Sequence, residues 1–528
     1  MCGFTVMGST VSQLEVFKET LEKTAHRGPD DQSISFSNQI MWGFNRLAIM
    51  DLSSKGNQPF TYKQTKLVCN GEIYNYPILK AQLMKDGCTF ISESDCEVLL
   101  PLYEKYGVAL MCQLLDAEFA FVLYDAKTDT IVAARDPIGI RPMFYGFTKE
   151  GRIGFASEAK GLIGICEGIK PFPPGHYYKD GKFVCYHAIS ETQVICTDNM
   201  EEIAVNLREK LEKAVVKRLQ SDAPVGYLLS GGLDSSLVCA IGQRVTDKPI
   251  RTFAVGMETD PIDLKYAKQV ADYLGTDHTE VMMTKADVLG ALEEVIYHLE
   301  TWDITTIRAS IGMYLLCQYI HQNTDLKVIL TGEVSDELFG YKYTDFAPSP
   351  QAFQEESKKR IEELYMYDVL RADRCISAHA LEGRVPFADI DFVNYTMSID
   401  PDKKMNHYNK GKYLLRHAFE GMDYLPDSIL YREKAAFSDA VGHSMVDYLK
   451  AYAEERYTEE EVQTAREKYA FSTPFTKESL LYREIFESFY PGQAEWVSDF
   501  WMPNKTWEGC NVDDPSARVL ANYGDSGK

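Results

Sequence analysis

No run of apolar residues in this 528-residue chain approaches the ~20 needed to cross a bilayer as a helix, and there is no internal repeat or low-complexity tract. A helical membrane protein and a solenoid are thereby excluded. The twelve Cys form no CxxC pair and no metal-ligand spacing, so neither a zinc module nor a disulfide framework is indicated; a reduced, cytoplasmic compartment is expected. Positive charge is scarce. The 55 Lys+Arg against 78 Asp+Glu leave a net charge of −23, which repels nucleic acid and anionic lipid at long range. No nucleic-acid or membrane partner is expected, and acidic metabolites must meet basic groups gathered locally. Met1 runs straight into Cys2-Gly3-Phe4 without the basic stretch that opens a secretory leader.

What is there is a globular composition, 45% apolar and 25% charged, in a chain longer than one hydrophobic core usually supports, so two domains are expected. From Cys2 to about Cys185, short β-rich segments broken by turns, such as GFTVMG, AEFAFVLYD and DTIVAARD, read as strands, with helical periodicity in SQLEVFKETLEKTAH and CEVLLPLYEKYG. This is a sheet-dominated α+β domain, placed at residues 2–188. Past a stretch of weak period, EEIAVNLREKLEKAVVKRL reads as a long amphipathic helix. PVGYLLS, SSLVCAIGQRV, IRTFAVGM and LKYAKQVADYLG then alternate strand and helix, the pattern of a parallel sheet. A second, α/β domain is placed at 199–515, mostly helical beyond Lys342.

The chemistry begins at the second residue. Removing Met1 would give Cys2 both a thiol and a free α-amine, and an amine of pKa near ~8 can accept a proton at neutral pH, so nucleophile and base would share one residue. A thiolate attacking a carboxamide builds an oxyanion that needs hydrogen-bond donors, for which Asn70-Gly71 is a candidate pair. A lone Cys is more often a small buried hydrophobe. The segments around it reverse those odds: MCGF, HRGPDDQ at 26–32, RLAIMD at 46–51, NGEIYN at 70–75, SDCEV at 94–98, ARDPIGIRP at 134–142 and FASE at 155–158 resemble, in the same order, the class II glutamine amidotransferases. The resemblance implies an Ntn-hydrolase-type αββα sandwich with Cys2 as nucleophile and the Asn70 side chain and Gly71 N–H as oxyanion hole. It further implies that L-glutamine is bound along Arg46, Leu47, Ala48, Ile49 and Met50, with Arg46 on its α-carboxylate and Glu72 and Asp95 on its amine. Those charges suit the tasks, since Arg matches a carboxylate bidentately and a carboxylate pairs with an ammonium.

A second constellation follows the strand PVGYLL. In Ser230-Gly231-Gly232-Leu233-Asp234-Ser235-Ser236 the backbone N–H groups and a helix N-terminus would face an anion. The segment has no Lys, so it is not a Walker A loop, and the grip suggests pyrophosphate rather than γ-phosphoryl transfer. It resembles the signature of the ATP pyrophosphatases, which adenylate a carbonyl or carboxyl oxygen. That likeness implies an ATP site at Leu228, Leu229, Ser230, Gly231, Gly232, Asp234, Ser235, Val255, Thr331 and Gly332, with Asp234 on Mg²⁺.

VILTGEVSDELFG at 328–340 gathers Glu333, Asp336 and Glu337 in one turn, which is costly unless cations offset it. The segment resembles the SGEGSDE motif of the asparagine synthetases, making Asp336 a second Mg²⁺ ligand and Glu333 necessary for forming a β-aspartyl-AMP intermediate. Val334 stands where that motif has Gly, so the turn must either keep it in an ordinary backbone region or be strained. EGRVPF at 382–387 and REKAAFSD at 432–439 continue the likeness and put Lys434 over the α- and β-phosphates; without the family position it would be a surface lysine. Across the whole chain the resemblance is to glutamine-hydrolysing asparagine synthetases. It implies L-glutamine, L-aspartate and ATP as substrates, Mg²⁺ as cofactor, an internal route for ammonia and a possible homodimer. Two other readings stay open: a different carboxylate acceptor, and an idle sensor that only binds. Intact Cys2, Asp234, Glu333 and Lys434 argue against the sensor.

Overall fold

The computed structural model describes residues 1–8, 13–192, 195–259, 261–433 and 443–524. Among them, the strands before residue 186 are β1 (Gly3–Gly8), β2 (Asp31–Ser37), β3 (Ile40–Arg46), β4 (Phe60–Tyr62), β5 (Thr65–Ile73), β6 (Ala117–Asp125), β7 (Thr130–Arg135), β8 (Phe144–Phe147), β9 (Ile153–Ala156), β10 (Glu167–Pro171), β11 (His176–Lys179) and β12 (Lys182–Cys185). They pair into two six-stranded sheets, ordered β10-β8-β9-β1-β3-β2 and β12-β11-β7-β6-β5-β4.

Successive side chains of a strand point to opposite faces, and here both faces are apolar. On β5, β6 and β7, Leu67, Phe119, Phe121, Leu123 and Val132 join one core, while Val68, Ala120, Val122 and Ala133 join another. Phe4, Val6, Trp42 and Phe44 of the facing sheet close the second core. Helices α1 (Leu14–Glu22), α2 (Tyr76–Lys85) and α3 (Leu99–Leu114) flank the sheets. Phe17 of α1 packs on Met7 and Met41, and Leu99, Leu100, Leu102 and Met111 of α3 fill the outer core of the other sheet. The layers are therefore helix, sheet, sheet, helix, as expected. The periodicity did not announce α2, because Leu83 is its one buried residue and YPILKAQLMK has no apolar stripe.

The second unit opens with α4 (Met200–Lys217), whose start is fixed by a reciprocal cap: the Asn199 side chain accepts from Glu202 N–H, and the Glu202 carboxylate accepts from Asn199 N–H. Strands β13 (Val225–Leu228), β14 (Arg251–Met257), β15 (Asp277–Met283), β16 (Val328–Leu330) and β17 (Glu382–Arg384) form an all-parallel sheet ordered β15-β14-β13-β16-β17. Helices α5 (Leu233–Arg244), α6 (Ile262–Leu274), α7 (Lys285–Leu299) and α8 (Ile304–Asn323) make the crossovers, and α9 (Ser335–Phe339) follows β16. The sequence pattern did not foretell β17, since Glu-Gly-Arg has no β-branched or aromatic residue; pairing with β16 alone makes it a strand. Among the described residues no helix is long and apolar enough to cross a membrane, and the twelve cysteines are free.

Buried charge joins the two units. Arg27 Nη1 lies 2.6 Å from Glu158 and 2.9 Å from Asp373, Arg374 bridges Glu158 and Glu300 at 2.9 Å each, and Glu118 takes Arg141 at 3.0 Å and Arg218 at 2.9 Å. Such pairs add little over apolar packing, but removing one partner costs about 3–5 kcal/mol because the other charge stays buried.

A row of histidines lies along the same seam. The His26 and His298 rings are 4.5 Å apart, and Tyr314 links His298, at 5.9 Å, to His379, at 4.4 Å. Burial holds His298 down to about 2 and His379 to about 4; the positive charge of Lys160 adds to the first and His321 to the second, while Glu158 opposes the first. A histidine depressed in the fold takes up its proton only on unfolding. Stability is therefore lost as pH falls from the ordinary value near 6.5 toward 4, by roughly 2 kcal/mol per histidine at about pH 5. The thermal midpoint is expected to drop over that interval, and less so in His379→Gln. Equal drops in parent and variant would contradict this assignment.

Candidate active sites

Cys2 precedes β1, beside the loop that follows β3 and the end of β5. One pocket is lined by Cys2, Arg46, Leu47, Ile49, Met50, Asn70, Gly71, Glu72 and Asp95, together with Glu382 of β17. Ala48 stands off its wall, donating its N–H to Asp30 Oδ2 at 2.7 Å. The Cys2 thiol, 3.6 Å from the Leu47 carbonyl, is pushed up to about 11 by burial. Burial works the other way on the Met1 amine, which donates to the Leu381 carbonyl at 3.1 Å and is lowered to about 5.

Asn70 sits on β5 opposite Ala120. Its carboxamide oxygen and nitrogen are both buried without a hydrogen-bond partner among the described residues. An orphaned buried amide costs about 1–3 kcal/mol, so this group is built to meet something that enters the pocket. At Gly71 a Cβ would come within 2.7 Å of the Glu118 carbonyl, which is why the backbone can lie so close to β6. Arg46 is braced by the loop after it: Nη1 donates to the Ser53 carbonyl at 2.8 Å and Asn57 Oδ1 at 2.6 Å, and Nη2 to the carbonyls of Met50 and Asp51. Asp95 accepts from Ile73 N–H at 2.6 Å, and burial pushes its carboxyl up to about 6. Glu72 pairs with Arg384 at 2.9 Å.

A second cavity of about 220 Å³ opens at the C-terminal ends of β13, β14 and β16, where parallel sheets collect ligands. Leu228, Leu229, Ser230, Gly232, Asp234, Ser235, Val255, Thr331, Gly332, Glu333 and Asp336 all line it. Gly231 shapes the loop without facing the cavity. Its φ is +70°, a Cβ there would sit 2.4 Å from Ala267 N, and its carbonyl accepts from Arg432 at 3.0 Å. Gly332 lets the two loops touch, a Cβ falling 2.6 Å from Ser235 N. Glu333 is gripped by Arg371 at 2.5 and 3.2 Å. Lys434 lies outside the described residues.

Sequence reasoning missed Lys412. Buried, it places Nζ 2.8 and 2.9 Å from the Asp234 oxygens, 2.5 Å from Asp336 Oδ1 and 3.0 Å from Ser335 Oγ. The available signal was the cationic run NKGKYLLR, whose buried Leu414 and Leu415 make Lys412 part of a packed segment rather than a surface tail. Four hard oxygens converging on one cation are also what Mg²⁺ takes, typically one or two carboxylates with the rest supplied by phosphate and water. The residues present therefore fit that ion.

Val334 resolves into the strained alternative, with φ 79° and ψ −15° at the start of α9 and its side chain buried. A β-branched residue there costs roughly 1–3 kcal/mol, and glycine avoids that cost. Val334→Ala keeps the strain and loses packing, whereas Val334→Gly loses slightly more packing and sheds the strain. The glycine variant is expected to melt above the alanine variant, the reverse of the usual order at a buried position; the usual order would refute the strain.

Residues 1–182 match a glutamine amidotransferase domain, and residues 206–350 and 343–512 match the asparagine synthase family. The chain is 40% identical over 571 residues to the glutamine-hydrolysing asparagine synthetase of Mus musculus, covering 100% of each. The Homo sapiens and Gallus gallus proteins of that name are also 40% identical, over 564 and 567 residues, with 99% of each chain covered.

Proposed function

The chain belongs to the asparagine synthase family, and from that premise we propose how its two sites divide one reaction. It makes L-asparagine from L-aspartate with nitrogen taken from L-glutamine. Residues 2–188 act as the glutaminase and 199–515 as the ATP-dependent synthetase. With Met1 removed, Cys2 carries a free α-amine, and an amine of ordinary pKa ~8 has a neutral fraction at pH 7 that can take the thiol proton. The thiolate attacks the glutamine carboxamide while Asn70 Nδ2 and Gly71 N–H face the oxyanion. Arg46 holds the substrate carboxylate, and Asp95 and Glu72 its ammonium. Ammonia leaves, and water frees glutamate from the thioester.

In the second cavity the aspartate β-carboxylate attacks the α-phosphorus of ATP, giving β-aspartyl-AMP and pyrophosphate. The Ser230–Ser235 loop receives the pyrophosphate, Leu228, Leu229 and Val255 flank the nucleoside, and Lys412, with Lys434 by its family position, offsets phosphate charge. Asp234 and Asp336 would hold Mg²⁺, which when bound neutralises phosphate oxygens. Glu333 serves the adenylation, and ammonia then displaces AMP.

One observation carries this reading. Leu47 and Ile49 at the first pocket, Ile138 and Ile140, and Leu229, Leu233 and Val334 at the second cavity all belong to one apolar cluster, against which Cys2 packs. Ammonia protonates in water and loses its nucleophilicity, so a two-site enzyme needs such a dry connection. The twelve free thiols support a cytoplasmic setting, and a homodimer is expected, to be checked by mass in solution. The test supplies glutamine, ATP, Mg²⁺ and a panel of carboxylate acceptors. Aspartate is expected to yield asparagine, glutamate, AMP and pyrophosphate together; no asparagine from aspartate would overturn the reading.

A further inference from the structure

One wall of the glutamine pocket comes from the synthetase. β17 pairs with β16 in the register Glu382↔Val328 and Arg384↔Leu330, so Glu382 and Arg384 leave the strand on the same face. That face meets the glutaminase: Glu382 lines the pocket beside Cys2, and Arg384 Nη2 lies 2.9 Å from Glu72 Oε2. Arg384 is fully buried and clamped, with Nε on Glu382 Oε1 at 2.9 Å and Nη1 on the carbonyls of Arg218 at 2.8 Å and Gln220 at 2.6 Å. Its own carbonyl accepts the N–H of Thr331 at 3.0 Å, at the edge of the nucleotide cavity.

We propose that Arg384 is a positioning residue for glutamine: carried on the synthetase sheet, it holds the Glu72 carboxyl group in place in the glutaminase pocket, which is complete only when the two units are docked. The proposal rests on reading that pocket as the glutamine site. Burial drives the Glu72 carboxyl well above its ordinary range, and the charges of Glu382 and Asp95 push the same way. Arg384 is the chief opposing charge, seconded by Arg141. Without Arg384 the carboxyl would be driven further up still and would lose the partner that holds it toward the substrate ammonium. The same residue, through Thr331, ties the pocket to the nucleotide loop by one strand.

Arg384→Lys keeps a charge but not the planar fork that reaches Glu72, Glu382 and two carbonyls at once. The KM for glutamine is expected to rise about tenfold with kcat for hydrolysis within about threefold, more at pH 6 than at pH 8, while ammonia-dependent synthesis stays within about twofold. Glu72→Gln should raise KM similarly but without the pH dependence, and Arg384→Lys added to it should raise KM no further. An unchanged KM in Arg384→Lys, or an equal rise in the Glu72→Gln background, would overturn the proposal. Should Arg384→Lys fail to fold, Arg384→Gln, which keeps a planar donor without the charge, makes the same comparison: a rise that vanishes in the Glu72→Gln background supports the role, and an additive one refutes it. A parent enzyme inert toward glutamine would sink the underlying reading; an active parent with additive variants sinks only the role of Arg384.

Discussion

Cys2→Ala is expected to lose glutamine-dependent asparagine synthesis by roughly 10³-fold or more, while synthesis from added ammonium salt stays within about twofold of the parent. The size follows from chemistry: no other thiol lines that pocket except Cys69 and Cys96, both buried, and the Cys69 thiol, seconded by burial, holds Cys96 well above the ordinary range. The selectivity follows from geometry. Cys2 touches the Leu47 carbonyl and the edge of the apolar cluster, and it takes no part in the wall of the nucleotide cavity. Cys2→Ser should behave almost as badly, because a hydroxyl far from its pKa gains little from an amine base. Assays of glutamate release and of asparagine from ammonia, run on the same preparation, decide the matter. If both activities collapse together, the two sites are not separable and the division of labour is wrong.

Lys412→Met is expected to do the converse, cutting both ammonia- and glutamine-driven synthesis by roughly 10²-fold or more while basal glutamine hydrolysis persists. The side chain keeps its length and loses its charge, leaving Asp234 and the half-buried Asp336 facing each other without the ammonium that now lies within 2.5–2.9 Å of both. Breaking such a cluster by one partner costs about 3–5 kcal/mol. A cation that binds the same carboxylates should repair part of that loss, so added Mg²⁺ is expected to raise the thermal midpoint more in the variant than in the parent. Full synthetase activity in Lys412→Met would remove this lysine from the chemistry. A midpoint indifferent to Mg²⁺ in both proteins would argue that the ion does not bind at Asp234 and Asp336.

Much of this architecture was legible before any coordinates. The strands of the first unit were readable as short apolar, β-branched and aromatic runs bounded by turns, since packing on both faces erases the period of two, and the βα alternation of the second because parallel strands need crossover helices. The glycines of SGGLDSS and NGEIYN, and the charges of RLAIMD and SDCEV, marked both sites, and the structure brings nearly all of those residues to their two pockets. What stayed hidden was what depends on a distant partner. β17 is three residues without strand character, made a strand by its neighbour. Lys412 is an ordinary lysine until Asp234, 178 positions earlier, lies against it. Arg27, Arg141 and Glu158 sit inside the glutaminase motifs, yet in the fold they dock the two units through Asp373, Gly383 and Arg374.

The sequence by itself determined the local terms: which segments repeat at which period, where glycine permits close backbone approach, and which residue types could supply a nucleophile, an anion cradle and a pair of carboxylates. Only the tertiary structure decided which charges face one another. Ion pairing depends on separation in space and on burial, neither of which is encoded in spacing along the chain, and burial is what turns a Glu beside an Arg from a solvated surface pair into a buried contact between the two units. Val334 lies between those cases. Its identity made strain a possibility in the sequence, and the turn before α9 made it a fact.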